Sequence, residues 1–256
     1  MAQVYVNELT RDVIESRLSH FAKKSAERQA ILKKWFEDAG CPSLTEQPVK
    51  HAAVPNLVCT VPGTTDKVII VGAHFDCVDD GDGVADNWSG ASLLPSLFET
   101  LKTRPRQHTY IFIAFTDEEK GMVGSEFYAN HMTKEERERT DAMVNMDTLG
   151  LSPTKVWLSH ADKNLVELAS KVAAAMKLPI AAVNFEKVGA TDSDSFLQKK
   201  MPAITIHSVT QQNHHILHST DDKLRAIILD DYYSTYRFTA VYLAFLDGKL
   251  AQPAAR

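Results

Sequence analysis

Two stretches of the chain, KVIIVGA at residues 67–73 and TYIFIAF at residues 109–115, are almost wholly apolar and very short. A run of that length without polar alternation reads as a strand buried on both faces, the kind a parallel sheet contains, and each run is followed by a helical pattern. The first leads to ASLLPSLFETLK and the second to a helix from Gly124 to about His131. NLVCTVPG precedes both as a strand, and the alternation continues through DAMVNMD and KVWLSH as strands and DKNLVELASKVAAAMKL as a helix. IAAVNFE and PAITIHSV follow as strands, DSFLQKK as a short helix and DDYYSTYRFTAVYLAFLDGKL as a long closing helix. The pattern predicts an α/β fold in which a central mixed, largely parallel β-sheet is flanked by helices on both faces.

Residues 1–40 carry Ile14, Leu18 and Phe21, then Ile31, Leu32, Trp35 and Phe36, at helical spacing and stop at Gly40 and Pro42, which predicts one helix or two in sequence packed on the rest. No repeat or linker marks a boundary, so residues 1–256 are expected to form a single domain. With 44% hydrophobic and 24% charged residues the composition is ordinarily globular, and a net charge of −5 without a basic stripe removes the electrostatic case for nucleic acid or an acidic membrane. The apolar runs are too short to span a bilayer and the first residues lack a signal-like apolar core, so a cytoplasmic protein is expected. Cys41, Cys59 and Cys77 are odd in number and lack Cys-x-x-Cys spacing, which predicts reduced, mostly buried thiols rather than a disulfide or a thiolate zinc site.

The chemistry gathers just past the strands. VGAHFDCVDDGDGVADNWSG, residues 71–90, places Asp76, Asp79, Asp80, Asp82 and Asp86 beside His74, where mutual repulsion would oppose folding unless cations sit among them. In a sheet of this class ligands bind outside the carboxyl ends of the strands, and there His74 and Asp76 follow one strand, Glu118 and Glu119 a second, Asp147 a third, while His218 follows PAITIHSV by a loop. Singly, each motif reads as a turn, a cap or a solvated face. Together they supply the nitrogen and oxygen ligands that Zn²⁺ accepts. Two metals account for the carboxylates better than one, because a carboxylate can bridge cations roughly 3.5 to 4 Å apart. With Asp86 as the bridge, His74 and Asp147 complete one site, Glu119 and His218 the other, and Glu118 is left free as a general base.

The ordered set AHFD, ADNWSG, TDEEKGMVGSEFYA, VNMDTLG and HSTDD resembles the co-catalytic di-zinc aminopeptidases of the bacterial leucyl type, to which glutaminyl cyclases and the transferrin-receptor ectodomain are related. The resemblance runs from about residue 55 to the closing helix and implies a zinc-exopeptidase, phosphorylase/hydrolase-like fold. It implies the same sorting: His74, Asp86, Glu119, Asp147 and His218 on two Zn²⁺ ions, with Co²⁺ or Mn²⁺ as possible substitutes, and Glu118 as acid/base. It further implies that Asp76 orients the ring of His74 and that a cis peptide follows Asp86. The implied reaction is hydrolysis of an N-terminal peptide bond, in which one metal polarises the carbonyl, a metal-bridging water attacks, and Glu118 moves its proton to the leaving amine.

Thr191, Asp192 and Ser193 depart from the family's Ser-Asp-His. His214 and His215 compete with His218 as ligand, but only His218 is followed by the Ser-x-x-Asp that resembles the family's His-Thr-x-x-Asp. Asp79, Asp80 and Asp82 read as turn formers, Asn87 as a helix cap or a neighbour of the metals, and Trp88 and Met122 as core side chains before pocket ones. Two rivals remain, a single-zinc glutaminyl cyclase and a non-catalytic binding domain on the same fold; two ions, one or none would separate the three readings.

Overall fold

The computed structural model describes residues 6–184 and 189–251. Its amino-terminal segment forms two helices, α1 (Arg11–Ser19) and α2 (Ser25–Asp38). The chain then enters the sheet as a hairpin, β1 (Leu44–Gln47) and β2 (Asn56–Val61). The two apolar runs become β3 (Val68–His74) and β4 (Thr109–Phe115), with α3 (Ser89–Ala91) and α4 (Leu93–Leu101) between them. After α5 (Val123–His131) and α6 (Lys134–Arg139) come β5 (Thr140–Met146), β6 (Lys155–Trp157) and α7 (Lys163–Met176). The rest is β7 (Ala181–Val183), α8 (Asp192–Leu197), β8 (Ala203–His207) and the closing α9 (Leu229–Leu250).

Two elements escape the periodicity, β1 and α6, because neither is long enough to display a period. For α6 a shorter signal was present: Thr133 accepts the N–H of Glu136 while the Glu136 carboxylate accepts that of Thr133, a capping box. KVWLSH is a strand only through Trp157, after which Leu158–His160 turns away. Of the strand expected over IAAVNFE, Ala181–Val183 forms β7 while Ile180 and Asn184 fall outside it; Phe185 and Glu186 lie outside the described residues.

The eight strands form one sheet in the order β1-β2-β4-β3-β5-β8-β6-β7. The central β4-β3-β5-β8 ladders are parallel, and β2 and β6 flank them antiparallel. Every residue of β3 is buried, which is why its sequence does not alternate. Ile69, Val71 and Ala73 face a large core with Leu97 of α4 and Leu243 of α9. Val68 and Ile70 face a smaller one with Ala129 of α5 and Phe196 of α8. Helices therefore cover both faces, and the carboxyl ends of β3, β4 and β5 open side by side, with the order reversing across β3. Among the described residues no helix is long and apolar enough to cross a membrane.

The cysteines correct the expectation of three free thiols. Cys41 and Cys59 form a disulfide, and only Cys77 is free. The bond follows from strand pairing: Cys59 lies opposite Leu44 in the β1–β2 ladder, so the turn out of α2 delivers Cys41 to within a Cα–Cα distance of 6.2 Å. Spacing along the chain carries no trace of that register.

At the amino-terminal edge of the parallel strands His108 is fully buried between two carboxylates. Its Nδ1 lies 3.1 Å from Asp247 on α9 and its Nε2 3.2 Å from Asp141 on β5, which also meets Lys67 at 3.1 Å. Burial opposes a charge on the ring, yet Asp247 and Asp141 outweigh it and raise the His108 pKa above its ordinary value. A raised pKa in the folded state contributes stability that is complete below about pH 6.5 and is lost as pH rises through the folded value. His108→Gln should therefore cost about 1–3 kcal/mol near pH 6, and less at pH 9. Urea unfolding of zinc-saturated protein at both pH values checks this; a deficit that grows with pH would refute it.

Candidate metal centre

Three strand ends and two connecting segments converge. His74 closes β3, Glu118 and Glu119 follow β4, Asp147 follows β5, His218 comes from the loop after β8, and Asp86 lies in the turn Val84–Trp88. Asp147 and His74 sit with one oxygen of Asp86 in one group, and Glu119 and His218 with Asp86 in another, the ligand atoms of each group lying within 4.8 Å of one another. Asp86 Oδ1 is 3.3 Å from His74 Nε2 and its Oδ2 is 3.2 Å from His218 Nε2, so one carboxylate offers a separate oxygen to each group. His218 Nε2 is also 2.9 Å from Glu119 Oε2. Glu118 belongs to neither group, although its Oε2 is 4.0 Å from His74 Nε2. His214 and His215 lie in an exposed turn outside both groups.

The backbone explains the convergence. Asp117 adopts a left-handed φ of 53°, a turn that swings the two glutamates off the line of β4 and lets both reach the cavity. Asp76 Oδ1 accepts the N–H of Glu118 at 3.0 Å and its Oδ2 that of Glu119 at 3.2 Å, while His74 Nδ1 is 3.5 Å away. Asp76 thus holds the glutamate backbone more closely than it holds the imidazole. The Asp86–Asn87 peptide is cis. The side chain of Asn87 donates to the Met146 carbonyl and accepts the N–H groups of Gly90 and Thr148, so it ties Asp86 to the end of β5 as well as starting the next helix. The carboxylate of Asp222 accepts the N–H groups of Ala85 and Asp86 at 2.6 and 3.1 Å.

The departure at Thr191 is built into the same site. Thr191 donates its hydroxyl to Asp147 Oδ2 at 2.8 Å and accepts from Asn145, while Ser193 is buried against Thr205. Asp192 is fully buried, and among the described residues neither of its oxygens has a hydrogen-bond partner. Trp88 belongs to the core, its ring tilted against that of Trp35 and its indole N–H on the Arg17 carbonyl, and neither it nor Met122 lines the cavity.

The electrostatics ask for positive charge. Burial pushes the Glu118 carboxyl up to about 9 and that of Asp192 up to about 7, and burial also raises Glu119. Asp86 and Glu119 lift His218 to about 10. Burial disfavours a charge on His74, but Asp147, Asp76 and Asp86 overcome it and raise the ring well above its usual value. Protons on the histidines and acids thus supply the charge compensation that the carboxylates need. Divalent cations would supply it more fully, and the donors fit them: imidazole nitrogens and carboxylate oxygens, including a buried Glu119 Oε1 that has no hydrogen-bond partner among the described residues.

A cavity of about 140 Å³ opens beside these groups, with Trp157, Ala190, His207, Val209 and Leu217 on its walls. Sequence reasoning missed these residues. His207 ends β8 much as His74 ends β3, so the strand-end rule could have flagged it, whereas Trp157 reaches the cavity only because β6 runs antiparallel beside β8. The Nδ1 of His207 accepts the N–H of Val209, and burial lowers its pKa to about 4, so the ring is neutral.

Residues 56–243 match the model of Peptidase family M28, a span that includes every residue of both groups. A curated relative, aminopeptidase YwaD of Bacillus subtilis, is 31% identical over 134 residues, which are 50% of this chain and 29% of that protein. The chain thus spans under a third of the length of the curated relatives it first matches. The fold resembles that of the Legionella pneumophila LapA aminopeptidase, with a TM-score of 0.81 at 21% identity, covering 94% of this chain and 72% of that one. It also resembles Porphyromonas gingivalis glutaminyl cyclase, with a TM-score of 0.74 at 16% identity over 91% and 97% of the two chains. The match spans the core strands and both ligand groups, and on that ground this chain belongs to peptidase family M28.

Proposed function

We propose that the protein is a zinc-dependent aminopeptidase that hydrolyses the N-terminal bond of peptides. The observation that carries this reading is Asp86, whose two oxygens face two separate ligand groups while Glu118 stands outside both. His74, Asp86 and Asp147 would hold one Zn²⁺ ion, and Asp86, Glu119 and His218 the other, with Co²⁺ or Mn²⁺ able to replace zinc in such a donor set. Zinc bound there would supply Lewis acidity towards the scissile carbonyl and towards water. Glu118 accepts the proton of the attacking water and passes it to the leaving amine, a role open to it because its carboxylate is not engaged as a ligand. Asp76 fixes the backbone of Glu118 and Glu119 together, so base and ligand keep a constant separation. Trp157, Val209 and Leu217 shield the site from water and receive the side chain of the residue being removed.

A glutaminyl cyclase would share this fold, but the group formed by His74, Asp86 and Asp147 would then have no second ion to hold. The disulfide favours an oxidising compartment over the cytoplasm expected from the sequence. A scan of aminoacyl fluorogenic substrates, run with metal analysis of the same protein, tests the function: turnover should track two bound ions, and full turnover without metal would end the reading.

A further inference from the structure

Arg28 of α2 is 0% exposed. Among the described residues it makes no ion pair with a carboxylate, and its guanidinium donates its hydrogen bonds to backbone carbonyls. Nη1 donates to Phe75 at 3.1 Å and to Asp76 at 3.4 Å, Nη2 to Asp82 at 2.6 Å and to Gly83 at 2.9 Å, and Nε to Ala22 at 2.6 Å. The face of the Trp88 ring lies 5.6 Å from its central carbon. Burying a guanidinium is costly unless its donors are satisfied, so a chain that needed only to fasten α2 to the sheet could do so with apolar contacts. Arg28 spans something more specific.

The loop it holds leaves the end of β3 immediately after His74 and returns at Gly83, three residues before Asp86. One nitrogen of the planar fork grips the start of that loop and the other grips its end, so Arg28 sets the distance between the stems that carry His74 and Asp86. Lys23 adds bonds to the carbonyls of Val78, Asp79 and Gly81 along the loop's outer course. From the far side Asp222 accepts the N–H groups of Ala85 and Asp86 through its carboxylate and that of Asp82 through its carbonyl. A buried cation gathers the carbonyls and a buried anion gathers the N–H groups of one stretch of chain. The approach is close enough to require glycine: at Gly83, where φ is +60°, a Cβ would stand 2.8 Å from Arg28 Nη2 and 2.3 Å from the Cβ of Cys77.

We propose that Arg28 is a positioning residue of the metal centre, fixing the loop between His74 and Asp86 so that both side chains meet the same ion. It lies outside the residues matched by the family model, on the amino-terminal helices. The inference rests on the metal-centre reading above. Without the fork the four loop carbonyls would need water, the loop would open to admit it, and His74 and Asp86 would drift from their 3.3 Å approach. Lysine keeps the charge but is a point donor that cannot hold both ends of the loop.

Competition titration of zinc against a chromogenic chelator, on the full chain and its variants, tests the proposal. Arg28→Met should weaken zinc binding by about 10- to 100-fold, the usual effect of losing a residue that supports metal ligands. Arg28→Lys should lie between that variant and the native protein. At saturating zinc the KM of each variant should stay near native, since Arg28 meets no substrate. Leu32→Ala, a core truncation on the same helix, should lower the melting temperature and leave zinc affinity unchanged, which separates positioning from simple fastening. If Arg28→Met does not fold, Arg28→Lys decides alone. Native-like zinc affinity in a folded Arg28 variant, or an equal loss in Leu32→Ala, overturns the proposal. Native protein that takes up no zinc would instead overturn the metal-centre reading itself.

Discussion

Replacing Glu118 with glutamine is expected to leave the zinc content and KM near native and to lower kcat by about 10²- to 10⁴-fold, the range that general acid/base catalysis supplies. The change keeps the shape of the side chain and removes only its capacity to take a proton. The backbone should not respond, because Asp76 holds residue 118 through its N–H and not through its side chain. Glu119→Gln should behave differently although it alters the adjacent residue in the same way. It replaces an anionic oxygen 2.9 Å from His218 by a neutral amide, which should weaken one ion's site and be partly rescued by added zinc. Metal analysis and steady-state kinetics of the two variants decide the assignment. Loss of an ion in Glu118→Gln, or intact metal with lost turnover in Glu119→Gln, would exchange the two roles.

Chelation should abolish activity and lower the melting temperature, and zinc should restore both. At a hundredfold excess over Kd each ion contributes about 2.7 kcal/mol, or roughly 5–10 °C for a domain of this size. The loss should also depend on pH in a definite direction. Without metal, Glu118 and Asp192 are shifted up to about 9 and about 7 by burial, and His218 up to about 10 by Asp86 and Glu119. All three shifts mean that the folded state binds more protons than the unfolded chain. Stability of the metal-free protein should therefore fall as pH rises from about 5 towards 10. Zinc replaces those protons, so the gap in melting temperature between loaded and chelated protein should widen from pH 6 to pH 9. A constant or narrowing gap would show that the carboxylates are not what the ions compensate.

Much of this architecture is local information. A strand buried on both faces must be apolar throughout, so KVIIVGA and TYIFIAF announce β3 and β4 without any knowledge of the sheet, and the residues just beyond them announce the site because parallel strands end together. His74, Asp86, Glu118, Glu119, Asp147 and His218 were legible as a set for the same reason: each follows a recognisable element, and their residue types share one chemistry. Other features depend on which strand lies beside which. The Cys41–Cys59 bond needs the β1–β2 register, and Trp157 needs β6 to run antiparallel to β8 before it can stand over the cavity. The resemblance places Asp76 beside the ring of His74, where it lies at 3.5 Å, but its grip on the backbone N–H groups of Glu118 and Glu119 needs the turn at Asp117, which no motif displays. Arg28 reads in the sequence as one more polar residue of an amphipathic helix, and becomes a clasp on the acidic loop only when α2 docks against the end of β3. Periodicity and motif report what a residue does for its own segment; register, strand direction and docking set the contacts between segments, and those arise only when distant parts of the chain must satisfy one another's buried polar groups.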